Sequence, residues 1–269
     1  MITPGQTVRH ELAMRRLTVA AADRVTPGFV RVTLAGDDLA SFRSLGPADH
    51  VKAFFPGPDG IIRTPTVGPD GIRQRPEGVV TRDYTPRRHT ADRLEIDFAV
   101  HGGEGPATAW ALRAEPGDEL VVGGPRGSHL PPTGMTRVVL GSDASALPAL
   151  ARWIELLPAD VEILALVELE DEADRAYLEP ELVERARVHW VPATTKGPTG
   201  IETAVRSLAF DEDTFVWLAG EAGGLVPVRR YLRRQLGLPK EQVVVDGYWR
   251  IGVVALDHHA PLDPFDPMD

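Results

Sequence analysis

The chain has no cysteine among its 269 residues. That excludes disulfide bonds, a cysteine-ligated iron–sulfur cluster and a thiol nucleophile. Any redox chemistry must then use a bound organic cofactor or a metal held by nitrogen and oxygen ligands. Long apolar runs are missing too. Nothing approaches the about 18 consecutive apolar residues that mark a membrane helix, and residues 1–16 lack the apolar centre of a signal peptide, so no membrane association and a cytoplasmic location are expected. Positive charge is scarce. Lys and Arg number 29 against 39 Asp and Glu, a formal net charge of -10, which argues against general nucleic-acid binding but leaves room for a local cationic pocket. There is no paired zinc-ligand spacing, no Ser-His-Asp order to prefer and no internal repeat.

What is present suits two soluble domains, with 43% hydrophobic and 25% charged residues. Up to about position 133, short β-like runs at 15–22, 29–34, 50–55, 82–86, 93–100 and 119–122 are separated by Gly and Pro. Leu94, Ile96, Phe98 and Val100 alternate with Glu95, Asp97 and Ala99, as a half-buried strand should. One helix is expected there, at 105–114. The pattern predicts an antiparallel closed barrel over 1–133. Leu130-Pro131-Pro132-Thr133-Gly134 reads as the linker. Beyond it strands at 137–140, 161–167, 187–191, 214–219 and 242–245 alternate with helices at 145–157, 200–208 and 225–236. That rhythm predicts a doubly wound α/β domain over 134–257, which would bind ligands at the C-terminal ends of its strands. The Pro- and Asp-rich tail, 258–269, is expected to be poorly ordered.

Six segments carry chemistry. Arg82-Asp83-Tyr84-Thr85-Pro86-Arg87 sets an aromatic face, a hydroxyl and guanidiniums together, as a flavin nucleotide requires, although an exposed strand entering a turn has the same look. His101 to Trp110 opens a helix on glycines and Pro106, a phosphate-binding arrangement or a plain tight turn. Gly123 to Ser128 is a Gly/Pro loop made notable by Arg126. Gly141 to Pro148 and Leu218 to Gly224 are strand-to-helix turns where a dinucleotide would lay its pyrophosphate, or ordinary turns. Gly247 to Gly252 joins an aromatic pair to Arg250, or forms a hydrophobic plug. Arg229, Arg230, Arg233 and Arg234 read as a solvated helix face, His258 and His259 as tail residues without a third ligand, and Asp171, Glu172 and Asp174 as an acidic loop.

Taken together and in order, these segments make the chain resemble the siderophore-interacting, FAD-binding ferric-chelate reductases of the ferredoxin-reductase-like superfamily. Asp49-His50-Val51-Lys52, Pro116-Gly117-Asp118 and Ala219-Gly220-Glu221-Ala222 belong to the same match. The resemblance implies a Greek-key FAD-binding barrel followed by an NAD(P)-binding parallel sheet. Tyr84 would stack on the isoalloxazine and Thr85 would bond near N5. Arg82, Arg87, His101, Gly105, Ala107 and Thr108 would hold the phosphates and adenosine side. Gly141, Asp143, Gly220 and Glu221 would meet NADPH or NADH, with Lys196 or Arg229 as candidates for a 2′-phosphate. Lys52, Arg126 and Arg250 would attract an anionic ferric siderophore. Asp83 departs from the uncharged residue expected beside the Tyr, and on an alternating strand it should point away. The implied activity is reduction of Fe(III) in a siderophore chelate, with electrons from NAD(P)H or from a small ferredoxin-like protein, by a monomer. Another flavin reductase of the same architecture and a non-catalytic siderophore carrier remain open alternatives.

Overall fold

The structure is a computed structural model that describes all residues except 69–70, 75, 101–104, 195–196, 257–259 and 267–269. The chain forms two compact units, Thr7–Leu130 and Met1–Gln6 with Pro131–Asp269.

The first unit contains β1 (Thr7–Arg9), β2 (Met14–Thr26), β3 (Phe29–Ala35), β4 (Val51–Phe55), β5 (Thr66–Gly68), β6 (Gly71–Gln74), β7 (Val80–Tyr84), β8 (Pro86–His89), β9 (Arg93–Ala99), α1 (Pro106–Ala111), β10 (Glu119–Gly123) and β11 (Gly127–His129). Seven of the strands form one antiparallel sheet in the order β7-β4-β10-β2-β3-β9-β8. The alternation read in β9 sorts its faces. Leu94, Ile96 and Phe98 are fully buried in the barrel core, while Asp97 lies opposite Arg31 and receives two hydrogen bonds of 2.7 and 2.8 Å from it. The expected single strand at 82–86 is instead two strands on opposite edges of the sheet. β7 pairs with β4 and β8 with β9, and only Thr85 lies between them. Pro86 has no N–H to extend the first ladder but is tolerated at the start of the second. Since one residue joins the two edges, the sheet must curl until they meet, which closes the barrel at Thr85. The β5–β6 hairpin and the β1–β11 pair were not legible in the sequence.

The second unit has β12 (Arg137–Ser142), α2 (Leu147–Leu156), β13 (Glu162–Leu169), α3 (Pro180–Arg185), β14 (Arg187–Pro192), α4 (Gly200–Arg206), β15 (Thr214–Glu221), α5 (Ala222–Arg230) and β16 (Val243–Trp249). Its sheet is all parallel, in the order β14-β13-β12-β15-β16. Alternation along β15 shows the double winding. Val216 and Leu218 pack with Ile201 and Val205 of α4 and Leu225 and Val228 of α5. Phe215 and Trp217 turn to the other face, their rings 5.7 and 5.9 Å from that of Trp153 on α2. The short α3 was not foreseen, because one and a half turns leave too little periodicity to read.

Two boundaries differ from those drawn on composition. Residues 1–6 lie with the α/β unit, where Thr3 and Thr133 exchange backbone hydrogen bonds of 2.9 and 3.0 Å and Ile2 is buried. In the tail, the described residues 260–266 are pinned rather than loose. Asp263, 2% exposed, receives 2.6 and 3.0 Å hydrogen bonds from Arg230, and Asp266 pairs with Arg229 and Arg234. Arg229 is therefore buried rather than part of a solvated face, while Arg230 and Arg234 stay exposed but are ion-paired. An acidic tail meeting a basic helix supplies attraction beside the packing of Leu262 on the core.

Candidate functional site

In the barrel, the seam at Thr85 positions the first set of groups. Tyr84 is half-buried against the core, its ring 4.4 Å from Phe98 at 48° and 6.3 Å from Phe55 at 71°. Trp110 of α1 packs on the same two phenylalanines at 5.7 and 5.6 Å. The tyrosine plane is thus set from inside the barrel by edge-on and tilted aromatic contacts. Burial pushes its hydroxyl above the ordinary phenol range, partly opposed by Arg82, so the ring is neutral at any working pH. Strand alternation turns Arg82 to the same face as Tyr84. Arg82 bonds the Thr81 carbonyl at 2.7 Å and makes no ion pair among the described residues. Thr85 and Arg87 are 7% and 3% exposed. Helix α1 starts at Gly105 without a side-chain cap, with Pro106 in its first turn and Ala107 buried. The amides of Ala107 and Thr108 fall in that uncapped first turn. A neutral aromatic plane, a guanidinium with no counter-ion among the described residues and an uncapped helix start form a set that suits FAD. His101 lies outside the described residues, as do Lys196, His258 and His259.

A second set lies on the outer face of the same sheet. β4 runs between β7 and β10, so Lys52 sits directly opposite Asp83 on one side and Gly123 on the other. Lys52 Nζ donates to both Asp83 oxygens, at 2.7 and 2.9 Å. Alternation does turn Asp83 away from Tyr84, as expected, but the face it reaches is the one that carries Lys52. The sequence reading missed this pairing. Arg126, three residues beyond Gly123, is exposed and makes no ion pair among the described residues. A buried network that the sequence reading also missed ties these segments together. Asp49 accepts from Ser44 Oγ at 3.0 Å, Gly46 N at 3.0 Å and Ser128 Oγ at 2.5 Å, and His10 Nε2 meets Ser128 Oγ at 2.8 Å. Arg15, also buried, donates to the Gly124 carbonyl at 2.9 Å. Asp49 and Ser128 stand inside segments singled out for Lys52 and Arg126, which was the signal available.

In the α/β unit the turns after β12 and β15 meet at the switch point of the sheet, where such folds bind ligands. Asp143 and Glu221, read as dinucleotide contacts, have their carboxylates engaged by the chain itself. Asp143 accepts from Ser145 N (2.8 Å), Ser145 Oγ (2.6 Å), Glu221 N (2.8 Å) and Trp249 Nε1 (2.8 Å). Glu221 caps α5 through Gly224 N at 2.6 Å and receives Ile251 N at 3.1 Å. Glu168, on β13, accepts from Ile201 N at 3.4 Å. Burial pushes Asp143 and Glu168 above the usual carboxylate range, and Asp143 adds to the shift of Glu168. Gly220 has φ +151°, and a Cβ there would stand 2.6 Å from Asp143 Oδ2. Gly141 also answers a packing demand, since a Cβ there would lie 2.5 Å from Leu218 Cδ2. Arg250 belongs to this unit and donates to the Leu262 carbonyl at 2.8 Å.

Among the described residues no group of His, Asp and Glu side chains could hold a metal ion, and no helix is long and apolar enough to cross a membrane.

Comparison with known proteins gives a consistent picture. Residues 18–129 match the siderophore-interacting FAD-binding domain, and residues 135–252 match the siderophore-interacting protein family. The NADPH-dependent ferric-chelate reductase of Escherichia coli K12 is 36% identical over 91% of this chain and 96% of its own. The ferric vibriobactin reductase of Vibrio cholerae is 28% identical over 85% of this chain and 86% of its own. The crystal structure of a siderophore utilization protein from T. fusca superposes with a TM-score of 0.85 at 42% identity, covering 95% of this chain and 99% of the other. The chain belongs to the siderophore-interacting, FAD-binding protein family.

Proposed function

We propose that the protein is an NAD(P)H-dependent ferric-siderophore reductase with FAD on its barrel. The observation that carries this reading is the barrel seam, which presents on one face beside Thr85 the neutral Tyr84 ring and Arg82, a guanidinium that makes no ion pair among the described residues. Tyr84 holds the flavin plane, Thr85 offers its hydroxyl at the N5 edge, and Arg82, Arg87 and the start of α1 neutralise the phosphates. Bound FAD supplies the conversion of an electron pair from a pyridine nucleotide into single electrons for Fe(III). The α/β unit takes the pyridine nucleotide at the turns after β12 and β15. There Asp143 and Glu221 act as positioning residues that fix the turns. Lys52 and Arg126 on the barrel and Arg250 on the α/β unit are the cations assigned to the chelate, which arrives with its iron already ligated. Reduced iron is held more weakly by hard oxygen ligands and leaves.

The test is direct. Purified protein should carry a flavin absorbance spectrum and oxidise NADPH or NADH only when a ferric chelate is present, while an Fe(II) chromophore develops at a matching rate. Protein that is colourless and cannot be reconstituted with FAD would end this reading.

One observation favours a second donor. The Ser145 and Gly224 amides, which a pyrophosphate would seek, are already bonded to Asp143 and Glu221. A reduced ferredoxin-like protein would then support turnover faster than NADPH does, which a side-by-side assay of the two donors decides.

A further inference from the structure

We propose that Asp83 is a specificity-determining residue, which by pairing with Lys52 tunes the enzyme toward ferric chelates of low net charge. The inference rests on the reductase reading and adds to it the class of siderophore. Lys52 and Asp83 are held opposite each other by the β4–β7 ladder, so their pairing follows from strand register rather than from chance contact of two long side chains. Both carboxylate oxygens are used, at 2.7 and 2.9 Å. The side chains are 37% and 26% exposed, so solvent screens the pair less than it would a fully exposed one. On the other flank of Lys52 stands Gly123, which has no side chain to compete for the ammonium or to draw Asp83 away. The next outward residue on the strand, Phe54, is buried and apolar.

Seen from a ligand a few ångströms away, a lysine alone is a unit positive charge. A lysine joined to a carboxylate is a short dipole whose field falls away much faster. Of the two barrel cations assigned to the chelate, only Arg126 then remains without an ion pair among the described residues, on a protein whose net charge is -10. A trianionic ferric tris-catecholate gains little from such a site. A neutral ferric tris-hydroxamate has nothing to lose there. Asp83 thus disfavours highly charged chelates, a discrimination made by withdrawing attraction rather than by adding a contact.

A charge series tests the idea. The preference is the kcat/KM for a ferric tris-catecholate divided by that for a ferric tris-hydroxamate, measured at low and high salt. Wild type should favour the hydroxamate. Asp83→Asn, which frees the ammonium, should raise the preference for the catecholate by roughly tenfold, mostly through KM, and high salt should erase the gain. Lys52→Met should lower it below wild type. The double variant Lys52→Met/Asp83→Asn, again neutral at this position, should return close to wild type. Flavin content of each variant reports whether the neighbouring Tyr84 site is intact. A preference that is the same in all four proteins, or that does not follow their charge, overturns the inference while leaving the reductase reading in place. Flavin-loaded wild type that reduces neither chelate would instead sink the reductase reading itself.

Discussion

Tyr84 is held from within the barrel. Phe55 and Phe98 meet its ring on the core side, so Tyr84→Ala should cost the barrel roughly 2–3 kcal/mol and release the flavin. Tyr84→Phe should keep both, as urea melts and the appearance of free-flavin fluorescence will show. Gly220 makes the opposite demand, for the absence of a side chain. Gly220→Ala forces a Cβ against Asp143 at a φ that L-residues avoid, and should destabilise the α/β unit by about 1–3 kcal/mol and raise the KM for the pyridine nucleotide. Asp143 has a pH signature. Burial raises its folded pKa above the unfolded one, so its contribution to stability is full below the ordinary carboxylate range and is lost as pH rises toward the folded value. From about pH 4 upward, Asp143→Asn should show a flatter melting temperature than the wild type. The variant is weakest relative to wild type at low pH, because its NH2 cannot receive the donors that the carboxylate oxygen accepts, and the gap narrows as pH rises. Tyr84, Lys52 and Asp83 were singled out in the sequence, but their partners were not. Lys52 and Asp83 are 31 positions apart, and nothing local to either announces the other.

Elements were legible where burial imposes a period. The alternation of β9 and the apolar run of β13, buried from Ile163 to Val167, predicted strands that the structure contains. Edges were harder, because which strand a segment pairs with is decided by the rest of the sheet. The break at Thr85 is the clearest case, a single expected strand that serves two edges. Inserting one glycine after Thr85 should slip β8 against β9, exchange the faces of Arg87 and Arg88, and abolish flavin retention. The same insertion at the exposed turn by Gly60 should leave the visible spectrum unchanged. The tail is a second lesson in pairing at a distance. Asp263→Ala removes both hydrogen bonds to Arg230, and should lower the melting temperature of the α/β unit without altering flavin content, which circular dichroism and absorbance on one sample will separate.

At the scale of the molecule, composition put the change from barrel to α/β near residue 133, the compact units divide between Leu130 and Pro131, and nothing in composition showed that residues 1–6 belong to the later unit. Ile2 and Thr3 carry too little pattern to reveal a partner 130 positions away, and the pairing with Thr133 exists only once both have folded. The barrel is therefore an insertion in the α/β unit. Deleting residues 1–6 should weaken that unit by about 2 kcal/mol for the loss of a buried isoleucine and leave the barrel melt unchanged. Tryptophan emission suits the measurement, since four of the five tryptophans, Trp153, Trp190, Trp217 and Trp249, lie in the α/β unit and only Trp110 in the barrel.

The same insertion has a mechanical consequence. Tension applied between Thr3 and Asp266 enters and leaves through the α/β unit, and the Thr3–Thr133 hydrogen bonds short-circuit the barrel. Once those bonds part, the load passes to the β1–β11 pair, where Thr7 faces His129. There it pulls two antiparallel strands apart from one end and breaks their hydrogen bonds one at a time. Stretched from these two points, the flavin-bearing half is shielded first and then opened like a zip.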